Sequence, residues 1–295
     1  MSDTLAAYRH SGKFNAPGLV LSLAAAAAVG FPLGLAYAYL IRWIPFIYVN
    51  FLVTLGYGFV FGFMTTQILK MSHVRNTAVA GLTGLLAGLI ALQCEWSGSL
   101  HALFDEAPWF FRPDQVVRGM QILYAEGSWG LRSGGNVTGI PLAIVWLVEA
   151  GIIVGLAAAL PWSFVKDTPF CEKSKCWLDE EKKIDTLESF TDAAQLAALK
   201  SGDLMPLTAA KPKADSAAVF TRLLLKRSPQ CKTFCTLRVQ DVTVSIDNEG
   251  KVKEKTEDHT EDLVLPASMF DLVVKFEEFK PTAGPATLPT LPAGM

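Results

Sequence analysis

The sequence predicts a membrane all-α four-helix bundle with both termini on the inner side, followed by a small cytosolic α+β domain. Hydrophobic residues make up 51% of the 295 residues and charged residues 18%, against about 25% in soluble domains. Of the charged residues, 18 of 26 Lys and Arg and 21 of 28 Asp and Glu lie from position 166 onward. Four long apolar segments precede that position. The first part of the chain is therefore expected to lie in a membrane and the second part in water.

The four segments are long enough to cross the hydrocarbon core, which takes about 20 apolar residues. Within a transmembrane domain of residues 1–165, Pro17 and Pro141 stand near segment starts, where the missing N–H of proline costs nothing. Pro32 lies inside the first segment and predicts a kink there. The predicted spans are residues 17–41, 45–69, 76–94 and 139–164.

The first segment also has features of a secretory signal. Arg9 and Lys13 precede an apolar run from Leu19 to Val29. The apolar stretch nevertheless continues to Ile41 without a clear cleavage site of small residues. We therefore expect a retained signal-anchor helix.

Lys and Arg residues in the short loops predict the orientation of the spans. The outer side has Arg42 in a very short turn and three arginines spread over a long loop, residues 95–138. In that loop, the apolar residues after Pro113 fall at helical spacing and predict an amphipathic helix. Both termini are expected in the cytosol, and the membrane is expected to be the cytoplasmic one. The positive residues on the expected inner side include Arg9, Lys13, Lys70, Arg75 and Lys166.

Glu149 is the only ionisable residue in the four segments, and an acid in hydrocarbon is costly. About ten residues into its helix, it would lie roughly 15 Å along the axis, near the bilayer midplane. One interpretation is a proton or cation site in a transport path; the other is a buried acid that donates a hydrogen bond to a neighbouring helix. Because no second ionisable residue accompanies it, the structural interpretation is favoured. Its available polar partners are Asn50, Thr54, Gln67, Thr83 and Gln93.

Small residues recur at four-residue spacing in every span, which lets membrane helices approach closely. We interpret these rows as contacts within one bundle. Homo-oligomerisation through one of the rows is the alternative. The rows are Gly30 and Gly34, Gly58 and Gly62, Ala80, Gly84 and Gly88, and Gly151 and Gly155.

Two cysteine pairs form the only spacing that indicates a defined site in the cytosolic domain, residues 166–280. Cys171 and Cys176 follow the last span, and Cys231 and Cys235 come later in the chain. Four thiolates from two turns suit a tetrahedral zinc site. Because the gaps of four and three residues depart from the usual two, free or redox-active thiols are an open alternative. Disulfides are less favoured, since the cytosol keeps thiols reduced.

The first part of this domain predicts one short helix. Ser189 with Asp192 resembles a capping box, and the helix is expected to end at Gly202. The apolar run at residues 219–226 is of uncertain type. His259 lies among carboxylates in a polar loop and is expected to be solvated.

The later part predicts a hairpin. Apolar and polar residues alternate over residues 237–246, and the alternation shifts by one position near Gln240. This pattern predicts a strand with a bulge near Gln240. A turn at residues 247–250 and a charged edge strand at residues 251–258 follow. The Pro- and Ala-rich residues 281–295 predict a disordered tail.

Function is less constrained than fold. The sequence has no nucleophile motif or nucleotide loop, and no basic stripe that predicts nucleic-acid binding. The favoured hypothesis is a non-enzymatic membrane-anchored adaptor or sensor, whose zinc-stabilised four-cysteine domain binds a cytosolic protein. The alternatives are a small transporter or channel that uses Glu149 and a thiol-dependent redox enzyme.

Overall fold

The computed structural model of the chain describes residues 5–44, 46–104, 112–127, 136–214, 217–246 and 251–278. They divide into two compact units. One unit comprises residues 11–167, and the other comprises residues 5–10 together with those from position 168 onward. The expected turn at residues 247–250 and the expected tail at residues 281–295 lie outside the described residues.

The first unit contains four helices that are long and apolar enough to cross a membrane, as in a multi-pass membrane protein. A shorter helix that begins at Pro113 confirms the helix predicted for the loop between the third and fourth spans. The helices of this unit are α1 (Ala16–Trp43), α2 (Ile47–Met71), α3 (Thr77–Leu103), α4 (Pro113–Glu126) and α5 (Gly139–Asp167).

Helix α3 is longer than the sequence predicts. The predicted span ends at Cys94 because Glu95 is charged, but the helix continues to Leu103 and buries Glu95. Glu149 is the only ionisable residue of the four apolar segments, but the part of α3 beyond the predicted span adds Glu95, so the expectation that no second acid accompanies Glu149 is wrong. The physical reason is a continuous face at helical spacing, all of it buried: Gly84, Gly88, Ala91, Glu95, Gly98 and Ala102.

Glycines allow the helix backbones to approach closely. A Cβ atom at Gly34 would lie 2.5 Å from the carbonyl oxygen of Cys94, and one at Gly98 would lie 2.5 Å from the carbonyl oxygen of Gly34. Helices α1 and α3 thus pack backbone against backbone, as small residues permit in membrane helices. A Cβ at Gly151 or Gly155 would have no atom within 4 Å.

Helix α4 packs through its apolar face. Val116 and Leu123 form a buried cluster with Trp96 and Leu100 of α3. A Cβ at Gly119 would lie 2.6 Å from a methyl carbon of Leu100. The helix therefore covers the end of α3 that carries Glu95.

The second unit is built on strands, with three short helices. Its elements are β1 (Phe170–Cys171), β2 (Cys176–Trp177), β3 (Glu180–Glu188), α6 (Ala193–Lys200), α7 (Met205–Thr208), β4 (Val219–Arg227), β5 (Phe234–Ile246), β6 (Val252–Asp258), β7 (Leu263–Pro266) and α8 (Phe270–Val274). Strands β1 and β2 form a separate hairpin. The antiparallel order of the main sheet is β3-β4-β5-β6, and β7 also pairs with β5. Strand β6 is an edge strand and is exposed throughout, as predicted.

Two predictions about polar residues in this unit are wrong. Asp192 caps α6 by accepting a hydrogen bond from the Ala194 amide at 2.9 Å. Ser189 instead donates to Asp241 at 2.6 Å, because β3 continues almost to that position. The His259 side chain is only 10% exposed, with Nε2 3.1 Å from a carboxylate oxygen of Asp241. The polar loop therefore packs against the sheet and buries the side chain of His259.

The predicted bulge near Gln240 is also wrong. Strand β5 pairs with β4 in continuous register through that position. The change of hydrophobic phase has another cause, because alternate residues of a strand face opposite sides. Leu237 and Val239 belong to the core on one face, and Val242 is buried on the other.

The N-terminal segment belongs to the sheet unit. The Tyr8 amide donates to the Asp262 carbonyl at 2.7 Å, and the Val264 amide donates to the Ala6 carbonyl at 2.9 Å. The Tyr8 hydroxyl accepts from the Phe170 amide at 2.8 Å. Residues just before α1 are therefore hydrogen-bonded to residues that follow α5.

Candidate functional site

Helices α3 and α5 pack side by side in antiparallel register. A Cβ at Gly88 would lie 2.9 Å from the Cα of Val154. Further along the same two helices, the rings of Trp96 and Trp146 meet edge to face with centroids 5.0 Å apart. As residue numbers rise in α3 they fall in α5, so this register places the two buried acids of the bundle near each other.

Glu95 and Glu149 lie at the same level of the bundle. Glu95 precedes the end of α3 by eight residues, about 12 Å, and Glu149 follows the start of α5 by ten residues, about 15 Å. The Ser99 hydroxyl donates to Glu95 at 2.9 Å, and Glu95 is 8% exposed. Glu149 is partly buried.

Helices α1 and α2 add hydroxyl groups at this level of the bundle. The Tyr37 and Thr54 hydroxyl oxygens are 2.9 Å apart, and Thr54 donates its hydrogen to the Asn50 carbonyl at 3.0 Å. Thr54 must then accept from Tyr37, since a hydroxyl has one hydrogen. We call Glu95 and Glu149 together with these two hydroxyl groups the carboxylate site.

Among the polar residues predicted as partners of Glu149, Thr54 lies at the level of Glu149 in the bundle. A Cβ at Gly58 of α2 would lie 3.0 Å from the Cα of Ile153 of α5. One turn earlier on both helices, the same register places Thr54 beside Glu149. Thr83 lies elsewhere and donates to the carbonyl of Val79 in its own helix.

The carboxylate site lacks a basic partner: within the described ranges, no Lys, Arg or His forms an ion pair with Glu95 or Glu149. Two acids held together in a low-dielectric interior repel each other unless a proton or a cation lies between them. The arrangement is therefore suited to bind and release a positive charge.

The second candidate site brings together three of the four predicted zinc ligands. Cys171 and Cys176 face each other across the β1–β2 hairpin, and Cys231 joins them in one buried cluster. The Thr233 hydroxyl lies 3.2 Å from the sulfur of Cys171 and 3.3 Å from that of Cys231. We call these three cysteines with Thr233 the thiol cluster.

Cys235 lies apart from the thiol cluster. It belongs to the main core of the sheet unit with Leu237 and Leu265, and its thiol donates to the Pro266 carbonyl at 3.7 Å. Burial raises the pKa of Cys235 to about 11. Cys235 follows the alternation of β5, which turns its side chain toward the same core as Leu237.

The residues present do not fit the predicted four-thiolate zinc centre. A tetrahedral structural zinc takes four ligands, and the thiol cluster has a threonine hydroxyl where a fourth thiolate is required. In the part of the chain that the structure describes, no group of three or more His, Cys, Asp or Glu residues is arranged to hold a metal ion. The zinc prediction therefore gains no support.

The three thiols of the cluster differ in acidity. Burial alone would raise the pKa of Cys231, but hydrogen bonds from the Thr233 hydroxyl, the Phe234 amide and the Cys171 thiol lower it to about 7. Burial raises the pKa of Cys176, whose thiol contacts Cys231. Cys231 is thus the sulfur of the cluster on which negative charge is best stabilised.

All five cysteines are free thiols in this structure. Comparisons with protein-family models, with curated proteins and with solved structures find no match for this chain.

Proposed function

We propose that this protein is a small membrane transporter or channel for protons or small cations, with Glu95 and Glu149 as its binding site. The observation that carries the proposal is the register of α3 against α5, which brings Glu95 and Glu149 to one level of the bundle. A lone Glu149 favours a structural role. A second buried acid without a basic partner favours the binding of a positive charge.

The hydroxyl groups support a path for the charge toward one end of the bundle. Tyr37 contacts Thr54, and Asn50 lies one turn nearer to the start of α2. The Oδ1 atom of Asn50 is buried without a hydrogen-bond partner among the described residues. Such an acceptor suits a water molecule or a cation in transit, because a buried oxygen without a partner is costly.

Both termini face the cytosol in this proposal, in the cytoplasmic membrane. The N-terminal segment and the sheet belong to one unit, so after four crossings they lie on one side of the membrane. The excess of Lys and Arg in the connections at that side favours the cytosol. A bundle of four helices encloses little space, and the exposed row at Gly151 and Gly155 is where we propose that copies of the chain associate.

The adaptor hypothesis has weaker support. It depends on a cytosolic domain folded around four converging thiols, and Cys235 is in a different part of that domain. A cytosolic protein partner is not needed for the carboxylate site to act.

Transport is tested with the full chain reconstituted in liposomes that contain a pH-sensitive dye. A potassium gradient with valinomycin supplies the driving potential, and parallel vesicles test sodium and potassium flux. We expect flux above that of empty liposomes, and a decrease of at least tenfold in Glu95→Gln and in Glu149→Gln. Each change removes one charge and preserves the shape of the side chain.

Glu126→Gln is the matched control, because Glu126 is an exposed acid at the end of α4. It should leave flux unchanged. The proposal fails if the unaltered chain conducts no proton or cation, or if the variants at Glu95 and Glu149 conduct as well as the control.

A further inference from the structure

The thiol cluster joins two separate parts of the sheet unit. Cys171 and Cys176 come from the hairpin β1–β2, and Cys231 comes from the turn that precedes β5. The hairpin is tied to the rest of the sheet unit through Tyr8, whose hydroxyl accepts a hydrogen bond from the Phe170 amide at 2.8 Å and whose amide donates to the Asp262 carbonyl at 2.7 Å. The contact between the three thiols is therefore built by the fold, and a bond between the two parts needs no rearrangement of the main sheet.

The groups around Cys231 distinguish it from the other two cysteines. The Thr233 hydroxyl lies 3.3 Å from its sulfur, and hydrogen bonding with this hydroxyl and with the backbone at Phe234 lowers the pKa of Cys231. The three cysteines lie in one buried cluster. Hydrogen-bond donors stabilise a thiolate, and a thiolate is the nucleophilic form of cysteine.

The cluster is accessible to small molecules only. Cys176 and Cys231 each keep 7% of their surface exposed, and Cys171 keeps 1%. A bulky protein disulfide cannot approach so buried a sulfur, whereas hydrogen peroxide is comparable in size to water. An oxidised Cys231 would also have a thiol in contact, ready to react with it.

We propose that the thiol cluster is a site of reversible oxidation by hydroperoxides, in which Cys231 forms a disulfide with a cysteine of the β1–β2 hairpin. The Cys231 thiolate attacks one peroxide oxygen, so that an S–O bond forms and the O–O bond breaks. The departing oxygen takes a proton and leaves as water, or as an alcohol from an organic peroxide. Cys231 is then a sulfenic acid, oxidised by two electrons.

The second step closes the disulfide. The thiol of Cys171 or Cys176 gives up its proton and attacks the Cys231 sulfur. The S–S bond forms, the S–O bond breaks, and the hydroxyl group leaves with the proton as water. Overall, two thiols and one hydroperoxide give one disulfide, one water and one further water or alcohol. A dithiol reductant reverses the reaction by exchange.

The site is separate from the carboxylate site and does not depend on transport. Cys94 lies in α3 of the first unit, and Cys235 lies in the main core of the second. Both are buried thiols outside the cluster, and they serve as internal controls in the same chain.

The test uses the full chain in detergent micelles, treated with hydrogen peroxide equimolar to protein. Alkylation of the remaining thiols, digestion without reductant and mass spectrometry then locate the linkage. We expect a peptide that joins Cys231 to Cys171 or Cys176 in most molecules, its loss after dithiothreitol, and unmodified Cys94 and Cys235. The linkage should be absent in Cys231→Ser. Cys235→Ala is the matched control and should retain the linkage.

A second measurement does not depend on that variant being folded. In the double variant Cys171→Ser/Cys176→Ser, a sulfenic acid at Cys231 has no thiol to react with and should be trapped by dimedone at that position. Circular dichroism checks the fold of each variant. The proposal is overturned if peroxide links Cys171 to Cys176, if Cys94 or Cys235 reacts first, or if no linkage forms in the unaltered chain. It is also overturned if the untreated chain contains one zinc per molecule.

Discussion

Gly98 of α3 lies directly against the backbone of Gly34 of α1. A Cβ atom at Gly98 would come within 2.5 Å of the Gly34 carbonyl oxygen. This contact holds the last turns of α3 inside the bundle, so Glu95, one turn earlier, stays buried. The glycine contact therefore helps to position the carboxylate site.

Gly98→Ala should destabilise the bundle, because the added methyl group forces two backbones apart. We expect a loss of about 1–3 kcal/mol, the usual cost of overpacking a tight contact. Unfolding in mixed micelles with increasing dodecyl sulfate measures it. Gly56→Ala is the control, since nothing lies within 4 Å of a Cβ at that position. Equal stability of the two variants would contradict the packing described for Gly98.

The two acids of the carboxylate site should be thermodynamically coupled. Glu95→Gln and Glu149→Gln each remove the same repulsion, so the double variant should gain less than the sum of the single changes. Neighbouring groups of this kind usually show coupling of about 0.5–3 kcal/mol. The same unfolding titration on all four proteins measures it. Strictly additive changes would mean that the carboxyl groups do not interact.

Cys231 should react with iodoacetamide at a lower pH than an ordinary thiol. The thiolate is the reactive form, so the rate should rise as pH increases through the pKa of Cys231, about 7. Burial raises the pKa of Cys235 to about 11, so Cys235 should remain slow over the same range. Quenched alkylation from pH 5 to pH 10, followed by peptide mass spectrometry, gives both profiles. A midpoint for Cys231 near 9 would contradict the hydrogen bonding that we describe.

Arg222 should contribute to the stability of the sheet unit far more than a surface arginine does. Its side chain is 8% exposed and forms two hydrogen bonds with Asp185 and one with Glu254. These hydrogen bonds, led by those to Asp185, raise the pKa of Arg222 above its ordinary value. Arg222→Met removes three charge-assisted hydrogen bonds, but the side chains of Asp185 and Glu254 are 37% and 47% exposed, so water can hydrate them. We therefore expect a cost of about 1–3 kcal/mol in the free energy of unfolding.

Arg9→Met is the matched control for that substitution. Arg9 pairs with Glu261 at 3.0 Å, but the two side chains are 77% and 57% exposed. Solvent screens such pairs, so the expected cost is below about 1 kcal/mol. Thermal unfolding of the full chain, followed by the circular dichroism of the sheet, compares the two. A control that loses as much stability as Arg222→Met would show that burial is not the cause.

The sequence was sufficient to predict the four apolar helices, the charged edge strand and the helix after Pro113, because each follows from local composition and spacing. It failed where a partner in space decides the outcome. The charge of Glu95 interrupts the hydropathy, so the sequence predicts that the third span ends there. The small residues that continue beyond it, Gly98 and Ala102, were the signal that α3 goes on.

The cysteines also show where sequence spacing does not predict a contact in the fold. Their spacing predicts two pairs that meet, yet the fold brings Cys231 to the hairpin and leaves Cys235 in another core. Strand alternation explains the separation, because Cys235 must follow the face of Leu237 once β5 is paired on both sides. The register of β5 in the sheet is set by its pairing with strands that are distant in the chain. The spacing of the cysteines does not predict that pairing.

Composition and segment length are enough to predict four membrane-length helices followed by a sheet-containing domain, because transfer to hydrocarbon depends on both. The folded chain adds that a second acid lies at the level of Glu149 and that three thiols, not four, form a cluster. Those relationships depend on helix and strand register. Register is fixed by contacts between glycine backbones and between paired strands that are distant in the chain.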